Sequence, residues 1–132
     1  MLDAGHDAPR IAHLLDRLPV EILGRLRPDR VMPRPTPPRI YDPKGGRPPK
    51  HDGEFVCGDT STWGAEQTVT TTDTRLYGKA TAQAWDRRHP RLTRRAAWID
   101  YDGPLPVIEG TAIRLTAEKL PSGGVNNRVW LW

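Results

Sequence analysis

One carboxylate near the start of the chain has the surroundings of a metal-binding acid. Asp3 follows two apolar residues, Met1 and Leu2, and precedes the small-residue turn Ala4-Gly5. A carboxylate at the carboxyl end of a strand, before a turn containing Gly, faces solvent and phosphate oxygens, so it can ligate a divalent cation. Residue types alone leave open an ordinary solvated Asp3. Asp7 is explained more simply as a helix cap.

The other reactive side chains point less clearly to a site. His6, His13, His51 and His89 have no zinc-type spacing, so surface or hydrogen-bonded histidines are expected. Ser61 and Ser122 lie in unpatterned stretches without a nucleophile elbow, which removes support for a Ser–His–Asp triad. The single cysteine, Cys57, excludes an internal disulfide and every cysteine-rich zinc pattern. Gly45-Gly46-Arg47-Pro48-Pro49-Lys50 is not a P-loop, because its spacing differs and no Ser or Thr follows the lysine. Its glycines beside Arg and Lys would still let a loop follow a phosphate backbone; a solvated loop is the plainer alternative. The five tryptophans, Trp63, Trp85, Trp98, Trp130 and Trp132, could stack on bases, but packing into a core is the commoner use.

Basic residues are concentrated in two places. Between Gly24 and Lys50, eight basic residues (Arg25, Arg27, Arg30, Arg34, Arg39, Lys44, Arg47, Lys50) face two acidic ones, Asp29 and Asp42. That local excess is larger than the net charge of +4 carried by the whole chain. A second cluster comprises Arg87, Arg88, Arg91, Arg94 and Arg95. Together they point to a polyanionic partner such as nucleic acid.

The elements that must hold these groups follow from pattern. Asp7 as N-cap, Pro9 in the first turn and Ile11, Leu14, Leu15 and Leu18 on one stripe predict a helix ended by Pro19. Alternation over 20–26 predicts a strand. Eight of the 14 prolines fall between Pro28 and Pro49, where neither helix nor sheet can continue, so an extended, mobile connector is expected. The threonine-rich run 68–74 offers at most a short edge strand. Strands are expected over 76–85, 96–101, 105–118 and 128–132.

A length of 132 residues suits one domain, and a hydrophobic share of 36% suits a core over part of it. No apolar run approaches the roughly twenty residues that span a bilayer. The start has no basic segment followed by an apolar one, so no signal peptide is read and a cytoplasmic location is expected.

Several stretches, in the same order along nearly the whole chain, resemble the DDE-type insertion-sequence transposases of actinobacteria. They are Leu2-Asp3-Ala4-Gly5-His6-Asp7, Leu23-Gly24-Arg25-Leu26-Arg27-Pro28-Asp29-Arg30 and Gly45-Gly46-Arg47-Pro48-Pro49-Lys50-His51. Ala84-Trp85-Asp86-Arg87-Arg88-His89-Pro90-Arg91-Leu92, Pro106-Val107-Ile108-Glu109-Gly110-Thr111 and Val129-Trp130-Leu131-Trp132 complete the set. The resemblance implies an RNase H-like core with three acids around two Mg²⁺ ions, one activating a water or 3′-hydroxyl and the other stabilising the leaving oxygen. Asp3 would match the second acid, catalytic and metal-binding, with His6 replacing the tyrosine of an Asp-Ala-Gly-Tyr-Asp-like motif. The first Asp would lie on a strand upstream and the catalytic Glu on a helix beyond the Trp-Leu-Trp strand. Glu109 does not match that Glu.

The expectation is therefore an α+β chain: a fragment of an RNase H-like transposase core with one helix and strand, then a small antiparallel β insertion region. Its parts would be a core piece over 1–27, a basic Pro/Gly-rich and partly disordered connector over 28–75, and a β-rich insertion over 76–132. The parent, a homodimer as one assembly, would cleave and transfer DNA with Mg²⁺. This chain alone would be inactive and would bind DNA through Arg25, Arg27, Arg30, Arg47, Lys50, Arg87, Arg88 and Arg91. Two alternatives stand beside it: a non-enzymatic basic nucleic-acid-binding β module, and an inert product of a decayed mobile element.

Overall fold

The structure is a computed structural model that describes every residue except Ala4, Arg39, Asp42, Pro48, Lys50 and 124–127. Helix α1 (Ala8–Leu14) is the first element, and Asp7 caps it by accepting from the Arg10 N–H at 2.9 Å. The helix is one turn shorter than the sequence predicts, and its predicted stripe is not its buried face. Leu14 and Leu18 are exposed, whereas Ala8 is buried. Contact with the sheet runs through Ala8 and Gly24: a Cβ on Gly24 would stand 2.7 Å from the Ala8 Cβ. Periodicity identified the helix but not the side it packs on.

The sheet consists of β1 (Arg25–Leu26), β2 (Thr68–Thr74), β3 (Gly78–Arg88), β4 (Gly110–Ala117) and β5 (Arg128–Leu131), in the order β1-β5-β4-β3-β2. All four pairings are antiparallel. With one helix, the arrangement is α+β and mostly antiparallel sheet. Leu2 adds a parallel bridge at the β1 edge: its N–H donates to the Leu23 carbonyl (2.8 Å), and its carbonyl accepts from the Arg25 N–H (2.7 Å).

Three strand expectations need correction. The strand expected over 20–26 is regular only at Arg25–Leu26, because Leu2 and β5 reach only its last residues; Val20 stays exposed. The strand expected over 96–101 is instead a 3-10 turn at Ala96–Trp98. That turn buries Trp98 against His13 (ring centroids 5.6 Å apart) and Tyr101 (5.4 Å), with the Arg10 guanidinium above its ring. The strand expected over 105–118 begins only at Gly110.

The core is aromatic. Phe55, Trp63, Trp85 and Trp130 pack with centroids 5.1–6.4 Å apart, and Met32, Cys57, Ala112 and Trp132 complete the cluster. Edge-to-face contacts of this kind add to simple area burial. The 28–75 stretch, expected as a connector, supplies Met32, Pro33, Phe55 and Cys57 to this core and Thr68–Thr74 to the sheet. Paired backbone bonds join Met32 and Phe55 (2.7 and 3.3 Å), and bridges at Val31–Val56 and Arg34–Asp52 flank them as an irregular two-strand ribbon. The tryptophans serve the core, as expected from their type.

Candidate functional site

Asp3 leaves the Leu2 bridge at its carboxyl end, beside the carboxyl end of β1. Crevices at the carboxyl ends of parallel strands are the usual ligand positions in sheets that carry them. Its side chain is 75% exposed, and Oδ1 accepts from the Gly5 N–H (2.9 Å) and faces His6 Nδ1 (2.9 Å). The Gly5 N–H bond, then the His6 hydrogen bond and charge, hold the carboxyl below its ordinary value of 3.8, and Arg25 adds a smaller effect of the same sign.

Next to this carboxylate is a half-open cavity of about 440 Å³. Arg25, Arg27, Arg30, Arg91 and Arg95 line it, with Gly5 and His6 at one end and Met32, Leu26 and Trp132 among its apolar walls. Arg25 and Arg27 come from β1 and the residue after it, whereas Arg91 and Arg95 arrive from beyond β3. One bond that brings the two stretches together is the His89 N–H donating to the Pro33 carbonyl at 3.2 Å. The acid in the lining, Asp7, caps α1. A smaller hollow of about 380 Å³ shares Arg27, Arg30 and Arg91 and adds Asp29 and Glu54. There Arg27 meets Asp29 at 3.3 Å and Arg91 meets Glu54 at 3.4 Å, both exposed pairs of small energetic weight.

The structure thus gathers four of the sequence-predicted arginines, Arg25, Arg27, Arg30 and Arg91, around one cavity. The others lie elsewhere. Arg87 is held by Glu109 at 3.1 Å. Arg88 is 8% exposed, lies over the Phe55 ring and donates to the Asp86 carbonyl (2.7 Å); burial, then the nearby Arg34, pushes its pKa down. Its guanidinium packs against the interior instead of standing at the surface. Arg47 is exposed and lines neither hollow, and Lys50 lies outside the described residues. Arg95, read from the sequence as part of the second arginine cluster, joins the four at the cavity, whereas the one signal for His6 was its departure from the tyrosine of the motif.

A pair of Mg²⁺ ions needs several carboxylates, since each ion seeks near-octahedral oxygen coordination. Among the described residues, the charged neighbours that act on Asp3 are His6 and Arg25. Among the described residues no group of three His, Cys, Asp or Glu side chains is placed to hold a metal ion. The residues present do not fit a two-ion site. No helix among the described residues is long and apolar enough to cross a membrane.

The family model described as DDE superfamily endonuclease matches residues 1–91. That stretch contains Asp3 and four of the five cavity arginines, and it ends before β4 and β5. No curated protein and no solved structure matches the chain. The carboxylate at the bridge end and the basic wall beside it lie within the matched stretch, which covers more than two-thirds of the 132 residues, and on that match the chain belongs to the DDE superfamily endonucleases.

Proposed function

We propose that this chain is the DNA-gripping part of an insertion-sequence transposase, related to those of actinobacteria, and that the arginine-lined cavity beside Asp3 seats the phosphodiester backbone. The single observation that carries this reading is the convergence of Arg25, Arg27, Arg30, Arg91 and Arg95 on one cavity next to Asp3, in a chain of the DDE superfamily endonucleases. Guanidinium groups pair bidentately with phosphate oxygens, and five in one concave wall neutralise several consecutive phosphates. The parallel Leu2–Gly24 bridge, with Asp3 at its carboxyl end and α1 between the two strands, supports an RNase H-like reading of residues 1–27.

In this proposal the chain binds DNA but does not cut it. Cleavage and strand transfer by the parent require a full acid set, and Asp3 with His6 and Arg25 is not one. What these residues do is local. The arginines hold the backbone, and the Gly5 N–H and His6 keep Asp3 ionised and oriented.

Fluorescence anisotropy with a labelled duplex over a salt series tests the binding. Affinity should fall steeply with salt, and Arg25→Ala, Arg30→Ala or Arg95→Ala should each lower the log–log slope by about one. Arg87→Ala, whose guanidinium is already engaged by Glu109, should change it little. Binding indifferent to salt, or equally sensitive to all four substitutions, overturns the cavity assignment. A Mg²⁺-dependent nicking assay checks the second half: nicking abolished by Asp3→Ala would show that the chain is catalytically sufficient.

A further inference from the structure

The edge of the sheet opposite β1 has a different character. Strand β2 reads Thr-Val-Thr-Thr-Thr-Asp-Thr, and all of it except Thr74 is exposed. It pairs with β3 in unbroken register from Thr68↔Ala84 to Thr74↔Gly78, and no described strand lies on its other side. Natural edge strands are guarded by proline, lysine, a bulge or brevity. Asp73 is the one charged guard on β2, which otherwise has seven residues, no proline, no basic residue and no register shift. Every residue but Asp73 is a threonine or valine, types that fit a pleated surface.

We propose that β2 is an interface for a second copy of this chain, the two β2 strands pairing antiparallel about a two-fold axis at Thr71. A two-fold contact must be self-complementary, and the order of residues satisfies this. With Thr71 opposite its own copy, Thr70 faces Thr72, Thr68 faces Thr74, and Val69 faces Asp73 of the second chain. The strand's single charge therefore never meets itself. A second copy is thus favoured by the register itself, in which the outward backbone groups of β2 pair with their own kind and the strand's one charge faces a valine. The arginine cavity lies at the β1 end of the sheet, so the pairing leaves it open and does not depend on the DNA-binding proposal.

Sedimentation velocity over a range of chain concentrations tests this, with circular dichroism confirming that each variant is folded. The native chain should show a reversible monomer–dimer equilibrium. Thr71→Lys sets two like charges against each other and should weaken the dimer by roughly tenfold or more. Val69→Lys faces Asp73 of the second chain and should retain or tighten it. Thr71→Cys should form a disulfide dimer under mild oxidation, because it meets its own copy, while Val69→Cys alone should not. A native chain that stays monomeric, a dimer untouched by Thr71→Lys, or equal loss in Thr71→Lys and Val69→Lys would overturn the proposal.

Discussion

Asp3 and His6 are joined by a 2.9 Å contact between Oδ1 and Nδ1, and the same oxygen accepts the Gly5 N–H at 2.9 Å. Asp3 is therefore built into a short loop rather than left loose at a strand end. Both interactions favour the ionised form, with the Gly5 N–H the larger. A carboxyl whose folded pKa lies below its unfolded value contributes stability above the unfolded value and loses it as pH falls through the folded one. For Asp3 this window lies below the ordinary 3.8. Carboxyl-detected NMR should place the Asp3 midpoint below 3.8, and His6→Ala should raise it only partway, because the Gly5 N–H remains. A native midpoint at or above 3.8 would sink this account.

Cys57 makes the opposite case. It is 2% exposed in the aromatic cluster, and burial pushes its thiol up to about 11. The thiolate is the reactive form, so the native protein at pH 8 should react with a disulfide reagent far more slowly than the unfolded chain. Rates measured in buffer and in denaturant check this. Equal rates would mean that the cluster around Met32, Phe55 and Cys57 does not close.

Local chemistry was legible in the sequence where the cause is local. Asp7 and Pro9 mark the start of α1 because capping and first-turn tolerance involve only neighbours. The strand ending in Arg88 was likewise visible as alternation, and the one ending in Leu131 as an apolar run. Trp98 was not, since its ring packs against His13, a partner 85 residues away that no window around Ala96 contains. The exposed Leu14 and Leu18 mislead for a related reason: a stripe shows that a helix can be amphipathic, not which side its neighbours take. The basic cavity is the furthest from local pattern. Arg25 and Arg95 are distant in sequence, and their meeting depends on backbone links such as His89 to Pro33.

Two glycines permit close approaches that should not tolerate a methyl group. At Gly24 a Cβ would lie 2.7 Å from the Ala8 Cβ, and at Gly110 it would lie 2.7 Å from the Trp132 ring. Overpacking typically costs about 1–3 kcal/mol. Gly24→Ala should push α1 off the sheet and lower salt-dependent DNA affinity along with stability, because Gly5 to Pro9 line the same cavity as Arg25. Gly110→Ala should lower stability with less effect on binding. Urea midpoints and anisotropy measured on both variants separate the two outcomes.

Trp85 is the residue on which the sheet and the ribbon converge. It is fully buried on β3, its ring lies 5.3–5.7 Å from Phe55, Trp63 and Trp130, and its Nε1 donates to the Gly64 carbonyl at 3.3 Å. Removing a buried indole ordinarily costs about 3–5 kcal/mol, a large share of the roughly 5–15 kcal/mol that holds a domain together. Trp85→Ala should therefore lower the urea midpoint steeply, while Trp85→Phe should lower it less and keep a cooperative transition. The near-ultraviolet dichroism of the coupled rings should fall in both. A cooperative, native-like midpoint for Trp85→Ala would mean that residues 31–63 pack without the sheet, and that the aromatic cluster is not what ties the arginine cavity to β3.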